Sequence, residues 1–267
     1  MNNEQKPSIP EECNSPDLFS SILNAIKQCF VRDEEEPIRI AVIGEAGVGK
    51  TSTINALFNT DMPVNHFKPC TQEAEIVKTK TAKGIPLEVI DLPGLWAGEA
   101  ETLRHWETYK KVIPTVDSAI WVISAGDRAL EGMQRALKTI ASFSGEKFIS
   151  KIVFGINKAE HMFPEEWNTS INQPHPEQAK NLDQFCSTVR TAIREIFPEW
   201  NGVVRYYSAR KQYRLDDILE QMLLTARKED VVKILRAADP ADATELIEDK
   251  RALKVAYDMI NDPEEKK

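Results

Sequence analysis

Continuous apolar runs alternate with amphipathic stretches along the middle of the chain. Four such runs predict buried strands, at residues 38–44, 118–125, 150–157 and 202–209. Helical spacing of apolar positions lies between them, at residues 131–143 and 181–197. A further pair of strands, joined by a turn around Lys83, is predicted within residues 75–91. Since strands that are apolar on both faces and alternate with helices are typical of parallel sheets, the pattern predicts an α/β fold with helices on both faces of the sheet.

The two ends of the chain carry a different pattern. Residues 1–15 are polar and proline-bearing, which predicts disorder. Apolar residues four apart predict one helix within residues 16–34, at Leu18, Ile22, Ile26 and Phe30. Apolar clusters with a spacing of three or four also predict helices in a C-terminal extension, residues 226–267. We therefore expect one α/β domain over residues 37–225 and a small helical lobe formed by the two ends.

Composition and charge narrow the function classes. The net charge of −8 disfavours binding to nucleic acid or to an anionic membrane. No apolar run reaches the ~18 residues of a membrane helix, so no transmembrane segment is expected. The four cysteines lie far apart, which disfavours both a structural zinc site and a disulfide framework. Such cysteine usage is typical of a reducing compartment, and we expect a cytoplasmic protein.

The stretch "GEAGVGKT" lies between the first predicted strand and a predicted helix. It fits G-x-x-x-x-G-K-[ST] at its fixed positions, which are Gly44, Gly49, Lys50 and Thr51. Glycines let successive backbone N–H groups converge on phosphate oxygens, and the helix N-terminus adds a partial positive charge. Lys50 is expected to reach the outer phosphates, and Thr51 to offer its hydroxyl to Mg²⁺. The residues expected to bind the phosphates of a nucleotide are Glu45, Ala46, Gly47, Val48, Gly49, Lys50, Thr51 and Ser52.

Two further positions complete the predicted magnesium site. Asp91 ends an apolar strand and opens a D-x-x-G pattern that closes at Gly94. Such an aspartate can hold Mg²⁺ through water, and the N–H of Gly94 can sense the terminal phosphate. Thr71 lies midway between Thr51 and Asp91 on an irregular stretch, where a threonine can close over Mg²⁺ while the third phosphate is present. The predicted metal ligands are thus Thr51, Thr71 and Asp91, and the predicted catalytic residues are Lys50, Thr71 and Gly94.

The order of these motifs resembles that of Era-like small GTPases of the TRAFAC class, with some likeness to immunity-related and dynamin-type GTPases. The resemblance rests on the phosphate loop, Thr71, Asp91-x-x-Gly94, "NKAE" (157–160) and "SAR" (208–210). It covers about residues 37–225. It implies a Ras-like domain with a six-stranded, mostly parallel sheet, GTP and GDP as ligands, Mg²⁺ as cofactor and GTP hydrolysis as the activity.

By this resemblance, two segments read the guanine base. Asn157 is implied to bond the N7 side of the purine, and Lys158 to lie along the ring. A backbone N–H at Ser208–Ala209 is implied to contact O6. Glu160 stands where the family has an aspartate that accepts bonds from N1 and N2 of guanine, so its longer side chain must fold back or the loop must shift. In the alternative interpretation the register differs and Glu160 is a solvated helix start.

The resemblance leaves the mode of action open. Leu95 follows the D-x-x-G pattern, where Ras-type enzymes carry a glutamine that orients water, so slow intrinsic turnover is implied. The favoured hypothesis is a switch read by an unknown protein partner through the switch regions, where Trp96 is either a core contact or a partner contact. The alternatives are a dynamin- or immunity-related type of GTPase that self-assembles with GTP, and a nucleotide-binding scaffold without efficient turnover. Residues 161–178 are interpreted as a partner surface or a disordered loop.

Overall fold

A computed structural model of the chain describes residues 37–45, 47–62, 75–80, 86–92, 99–126 and 130–226. The predicted disordered N-terminus, the N-terminal helix and the extension beyond residue 226 lie outside these ranges, and with them the predicted helical lobe. Of the helices within these ranges, none combines the length and the apolar character that a membrane span requires.

The described strands form one large sheet and one small ribbon. The strands are β1 (Ile38–Ile43), β2 (Glu75–Lys80), β3 (Pro86–Asp91), β4 (Ser118–Ser124), β5 (Ile152–Asn157), β6 (Trp167–Asn168), β7 (Gln173–Pro174) and β8 (Val204–Tyr206). The large sheet has the order β2-β3-β1-β4-β5-β8, and β6 pairs with β7 in the ribbon. Within the large sheet only the β2–β3 pair is antiparallel. The predicted six-stranded, mostly parallel sheet is therefore confirmed.

Helices connect the parallel strands, as the crossover from one parallel strand to the next requires. They are α1 (Lys50–Phe58), α2 (Glu99–Val112), α3 (Leu130–Ser144), α4 (Glu146–Ile149), α5 (Pro176–Arg194) and α6 (Leu215–Thr225). Two turns of 3₁₀-helix cover Ile113–Thr115 and Ala159–His161. The helices predicted at residues 131–143 and 181–197 are confirmed as α3 and α5. The second begins earlier than predicted because Pro176 occupies its first turn, where the missing N–H costs nothing.

The core lies in two layers, one on each face of the large sheet. Alternate residues of a strand point to opposite faces, and β4 shows this directly. Ile120 and Val122 pack in the layer that contains residues of α1 and α6, whereas Trp121 and Ile123 pack in the layer that contains residues of α3 and α5. All four side chains are buried. Burying an aliphatic side chain of this size contributes about 1.5–3 kcal/mol, so both faces hold the central strand in place.

Strand β8 is shorter than the predicted run 202–209. The chain leaves the sheet after Tyr206, and the N–H of Tyr207 still donates to the carbonyl of Ile156 at 2.8 Å. Its own carbonyl then accepts from the N–H of Ala159 at 3.1 Å, and Ser208 pairs with Tyr213 in an isolated bridge. Strand β8 therefore ends at the point where the chain meets the loop that follows β5.

The interpretation of residues 161–178 as a disordered loop is wrong. The segment holds the end of a 3₁₀ turn, the β6–β7 ribbon and the first residues of α5. Trp167 in the ribbon donates its indole N–H to Asn172 and meets the ring of Tyr213 edge-on, with 5.1 Å between the ring centroids. Local hydrogen bonds and aromatic contacts therefore order this insert.

Candidate functional site

The carboxyl end of β1 leads into a loop that lies against the middle of the sheet. Gly44 has φ 148°, and a Cβ at this position would lie 2.4 Å from the carbonyl oxygen of Val122 on β4. No side chain fits between the two backbones. The glycine of the motif is therefore required here by its close approach to the next strand as well as by its backbone angle.

Helix α1 begins directly after this loop, and its N-terminus is suited to an anion. Its cap is Gly49, with φ 95° and without a side-chain cap, and the first turn carries no acidic residue. The first N–H groups of a helix have no partner within the helix, and the macrodipole places partial positive charge there. Both features favour a phosphate group at this position.

The ammonium group of Lys50 lies over the loop. It donates to the carbonyl oxygens of Gly44 at 2.9 Å and of Glu45 at 3.2 Å, and it lies 3.5 Å from Oδ1 of Asp91. The side chain is only about a tenth exposed, so the charge is held inside the site. A lysine ammonium has three donors that rotate freely, and phosphate oxygens can take the place of the two loop carbonyls.

Asp91 and Thr51 bring oxygen ligands to the same end of the sheet. Asp91 ends β3, beside Val42 of β1 in parallel register, and is 2% exposed. Thr51, in the first turn of α1, is 4% exposed. On α2, the fully buried Tyr109 has its pKa raised by burial and then by the charge of Asp91, so its hydroxyl stays protonated next to that carboxylate. The buried carboxylate of Asp91 thus has the Lys50 ammonium at 3.5 Å and a neutral tyrosine hydroxyl within electrostatic range.

A hydroxyl and a carboxylate are the hard oxygen ligands that Mg²⁺ prefers, so these two residues fit the predicted ion. Within the ranges that the structure covers, no group of three or more acidic, histidine or cysteine side chains could hold a metal on its own. In nucleotide sites Mg²⁺ takes one or two protein ligands together with phosphate oxygens and water.

Asn157, the last residue of β5, joins three segments of the site. Its Nδ2 donates to the carbonyl of Val48 at 3.0 Å, and its Oδ1 accepts from the N–H of Ala209 at 3.1 Å. The residue is 2% exposed. A Cβ on Gly49 would lie 2.3 Å from this Nδ2, so the second loop glycine leaves the space that the amide fills. The phosphate loop and both predicted base-reading segments therefore form one continuous structure.

Lys158 and Ser208 extend this structure on either side. Lys158 adopts φ 62° and donates its ammonium to the carbonyl of Gly47. Ser208 is fully buried, and its hydroxyl accepts from the N–H of Lys211 at 2.9 Å, which fixes the turn after β8. Both residues lie at the same edge of the sheet as the loop.

Glu160 lies in the 3₁₀ turn Ala159–His161 and is 7% exposed. The alternative interpretation, in which it is a solvated helix start, is therefore wrong about solvation, although the residue does stand in the first turn of a short helix. Its Oε1 lies 3.9 Å from Nε2 of His161. Its Oε2 is buried without a hydrogen-bond partner among the described residues. A buried carboxylate oxygen without a donor is costly and suits a ligand that supplies N–H groups.

Gln178 contacts this turn and was not predicted from the sequence. The residue is fully buried in the first turn of α5, and its Nε2 donates to the carbonyls of Glu160 at 3.1 Å and of Met162 at 2.9 Å. A glutamine at a helix start does not indicate, by its sequence pattern, a contact with a distant turn. The contact could not be found by pattern because it spans 18 residues and depends on how the insert folds.

Some predicted residues cannot be placed in this geometry. Ala46, Thr71 and Gly94 lie outside the described residues, as do Leu95 and Trp96. Ser52 is half-buried on α1. The remaining predicted residues meet at the carboxyl ends of β1, β3 and β5 and after β8, which is where open α/β sheets bind their ligands.

Known protein families, sequences and structures include several to which this chain is similar. A family of sequences described as 50S ribosome-binding GTPases matches residues 39–158. The uncharacterized protein YkfA of Escherichia coli (strain K12) is 25% identical over 213 residues, which cover 79% of this chain and 70% of YkfA. GTPase Era of Coxiella burnetii (strain Dugway 5J108-111) is 33% identical over 166 residues, which cover 60% of this chain and 55% of Era. The match therefore spans about half the length of Era.

A solved structure shows the same fold over a larger share of the chain. The bacterial dynamin GTPase LeoA from ETEC superposes with a TM-score of 0.55 at 16% identity, over 92% of this chain and 43% of LeoA. At this identity the likeness concerns the fold.

Proposed function

We propose that the chain contains a P-loop GTPase domain of the Era-like class, that it binds GTP and GDP with Mg²⁺, and that it slowly hydrolyses GTP to GDP. We propose further that it acts as a nucleotide-dependent switch on a protein partner. The partner interaction and its regulation by nucleotide form a second, more specific part of this proposal.

The observation that carries the proposal is the double hydrogen bond of Asn157. One buried side chain joins Val48 in the phosphate loop to Ala209 in the segment after β8. A nucleotide needs its phosphate and base contacts at a compatible separation, because both ends belong to one molecule of limited length. The Asn157 link sets that separation, and the buried carboxylate of Glu160 stands beside it for a base edge with two donors.

Some of the proposed site residues bind the charged groups, and others orient the ligand. The N–H groups at the start of α1 and the ammonium of Lys50 bind the phosphates. Thr51 and Asp91 hold Mg²⁺, with Thr71 as the proposed third ligand. Mg²⁺, when bound, neutralises charge that develops between the outer two phosphates. Gly94 is proposed to sense the terminal phosphate through its N–H.

Slow turnover and a partner are proposed from the sequence around the switch. Leu95 has no group that can orient a water molecule, so the attacking water must be positioned by another residue or by a partner. A protein partner is favoured over nucleic acid because the net charge of −8 opposes binding to a phosphate backbone.

Calorimetric titration tests the binding part of the proposal. The purified chain is titrated with GDP, with a non-hydrolysable GTP analogue and with ADP, each in the presence of Mg²⁺. We expect both guanine nucleotides to bind and ADP to bind at least 10-fold more weakly, a difference of about 1.4 kcal/mol. Equal binding of ADP and GDP would contradict the assignment of Glu160 and with it the GTPase proposal.

Two further measurements separate the proposed switch from its alternatives. Single-turnover hydrolysis of GTP distinguishes a slow enzyme from a scaffold that only binds. The mass in solution, measured with GDP and with the GTP analogue, distinguishes a switch from a dynamin-type GTPase that self-assembles. We expect slow hydrolysis and an unchanged mass.

A further inference from the structure

Glu160 poses a geometric problem that the base-reading turn must solve. Its side chain is one methylene, about 1.5 Å, longer than the aspartate that the family carries. If the backbone stood where an aspartate needs it, the carboxylate would reach too far. The backbone of this turn must therefore be held at a different distance from the base.

Gln178 fixes the position of this backbone. Its amide nitrogen donates to the carbonyl of Glu160 at 3.1 Å and to the carbonyl of Met162 at 2.9 Å, so it fixes the backbone of the turn at two points. The residue is fully buried. A second amide on the same face of α5, three residues later, acts alike: Asn181 donates to the carbonyl of Phe163 at 2.8 Å. Helix α5 thus binds three carbonyls of one short segment.

Little else holds the carboxylate itself. Among the described residues its Oε2 has no hydrogen-bond partner, and its Oε1 has His161 at 3.9 Å, beyond hydrogen-bond distance. The position of the carboxylate is therefore set by the backbone from which the side chain extends.

We propose that Gln178 is a positioning residue that sets the backbone of Glu160 at the distance at which a glutamate, and not an aspartate, reaches the N1 and N2 edge of guanine. The inference rests on the proposed function and deepens it, because it names what determines base selectivity in this chain. It predicts that restoring the family's aspartate weakens guanine binding, since Gln178 would hold the shorter side chain short of the base.

A double-mutant cycle tests the inference. The full chain and the variants Glu160→Asp, Gln178→Met and the double variant are titrated with GDP and with ADP in the presence of Mg²⁺. Methionine keeps the length of glutamine and removes both donors. We expect each single variant to bind GDP about 10-fold more weakly with ADP binding unchanged, and the double variant to be no weaker than either single one. That coupling is expected because a turn released from Gln178 can move towards the base and accommodate aspartate.

Gln184→Met is the matched control, because Gln184 is an exposed glutamine on the same helix, and it should leave GDP binding unchanged. If Gln178→Met does not fold, Glu160→Asp decides alone. GDP binding by Glu160→Asp that is as tight as in the unchanged chain overturns the inference, as does additive loss in the double variant. An unchanged chain that does not prefer GDP to ADP contradicts the proposed function itself, whereas a preference that survives Gln178→Met contradicts only the role of Gln178.

Discussion

The two halves of the site are built by different means. On the proposed phosphate side, the backbone angles of Gly44, Gly47 and Gly49 and the N-terminus of α1 shape the surface. On the base side, the residues come from β5, from the turn after it and from the segment after β8, and they meet through the side chain of Asn157. The phosphate side is a property of local backbone, and the base side is a property of tertiary contacts.

This difference has a consequence for how each half tolerates change. The proposed phosphate side should lose function when its lysine is removed, even where the fold persists, because its shape comes mainly from glycine backbone angles and the start of α1. The proposed base side should lose selectivity when a contact that holds Asn157 or the turn at Glu160 is removed, because side chains from distant segments supply its geometry. Substitutions that act on one half, on the junction, or on a minor support should therefore have separable effects.

Lys50→Ala should have the largest effect on binding. The substitution removes the only phosphate-directed cation that the motif places in the loop, and we expect nucleotide affinity to fall about 100-fold or more, beyond detection by calorimetry. The fold should persist, since among the described residues the polar contacts of Lys50 are with two loop carbonyls and Asp91. Circular dichroism and thermal unfolding check the second statement.

The control for this substitution is Lys138→Ala, an exposed lysine on α3. It removes the same charge far from the loop and should leave binding unchanged. Undiminished binding by Lys50→Ala would overturn the assignment of the phosphate loop.

Gly49→Ala should break the junction between the halves. The methyl group would lie 2.3 Å from Nδ2 of Asn157, and the residue would keep φ 95°, which L-residues rarely adopt. The backbone strain costs about 1–2 kcal/mol, and the overlap about 1–3 kcal/mol more, so we expect a total loss of about 3 kcal/mol in the free energy of unfolding. Urea denaturation measures it, and guanine selectivity should fall as well because Asn157 must move.

Gly126→Ala separates the backbone strain from the overlap with Asn157. Gly126 also has a positive φ, 81°, but a Cβ there meets no atom within 4 Å. It should show the strain alone, about 1–2 kcal/mol, and leave selectivity intact. Equal losses of stability in the two variants would mean that the contact with Asn157 contributes nothing.

Much of the fold could be predicted from the hydrophobic pattern. Strands β1, β4 and β5 are continuous apolar runs because both faces of the sheet are covered, and that signal is local. Strand β8 was predicted too long, since residues 207–209 are apolar or small for a different reason. They are buried in the turn that meets the loop after β5, and that reason is not visible in the pattern.

The site divides in the same way. Lys50 and Thr51 could be predicted from the phosphate-loop pattern, and Asp91 from the D-x-x-G pattern at the end of an apolar strand. The burial of Glu160 could not, because it depends on an insert whose fold rests on contacts such as those of Gln178 and Trp167. The sequence predicts backbone geometry that neighbouring residues determine. It does not predict geometry that side chains from distant segments determine.

Tyr207→Phe should have the smallest effect and affect stability only. The hydroxyl of Tyr207, which follows β8, lies 2.8 Å from that of Thr53 on α1, and Thr53 also donates to the carbonyl of Gly49. The Tyr207–Thr53 hydrogen bond is therefore a second link between the phosphate side and the base side. Neither residue is among those proposed to contact the nucleotide. We expect a loss of about 1 kcal/mol in the free energy of unfolding, the usual value of one hydrogen bond, with GDP affinity unchanged.

The same substitution has a signature in alkaline solution. Burial raises the pKa of Tyr207, so above pH ~10 the folded state keeps a proton that the unfolded chain has lost. The contribution of this group to stability is complete below that pH and declines as the pH rises, because the folded state then binds more protons than the unfolded one. Urea denaturation between about pH 8 and pH 11 should give a shallower decline for Tyr207→Phe than for the unchanged chain. Equal slopes would show that the Tyr207 hydroxyl is not shielded from water, and an accompanying loss of GDP affinity would mean that this link is needed to hold the base side in place.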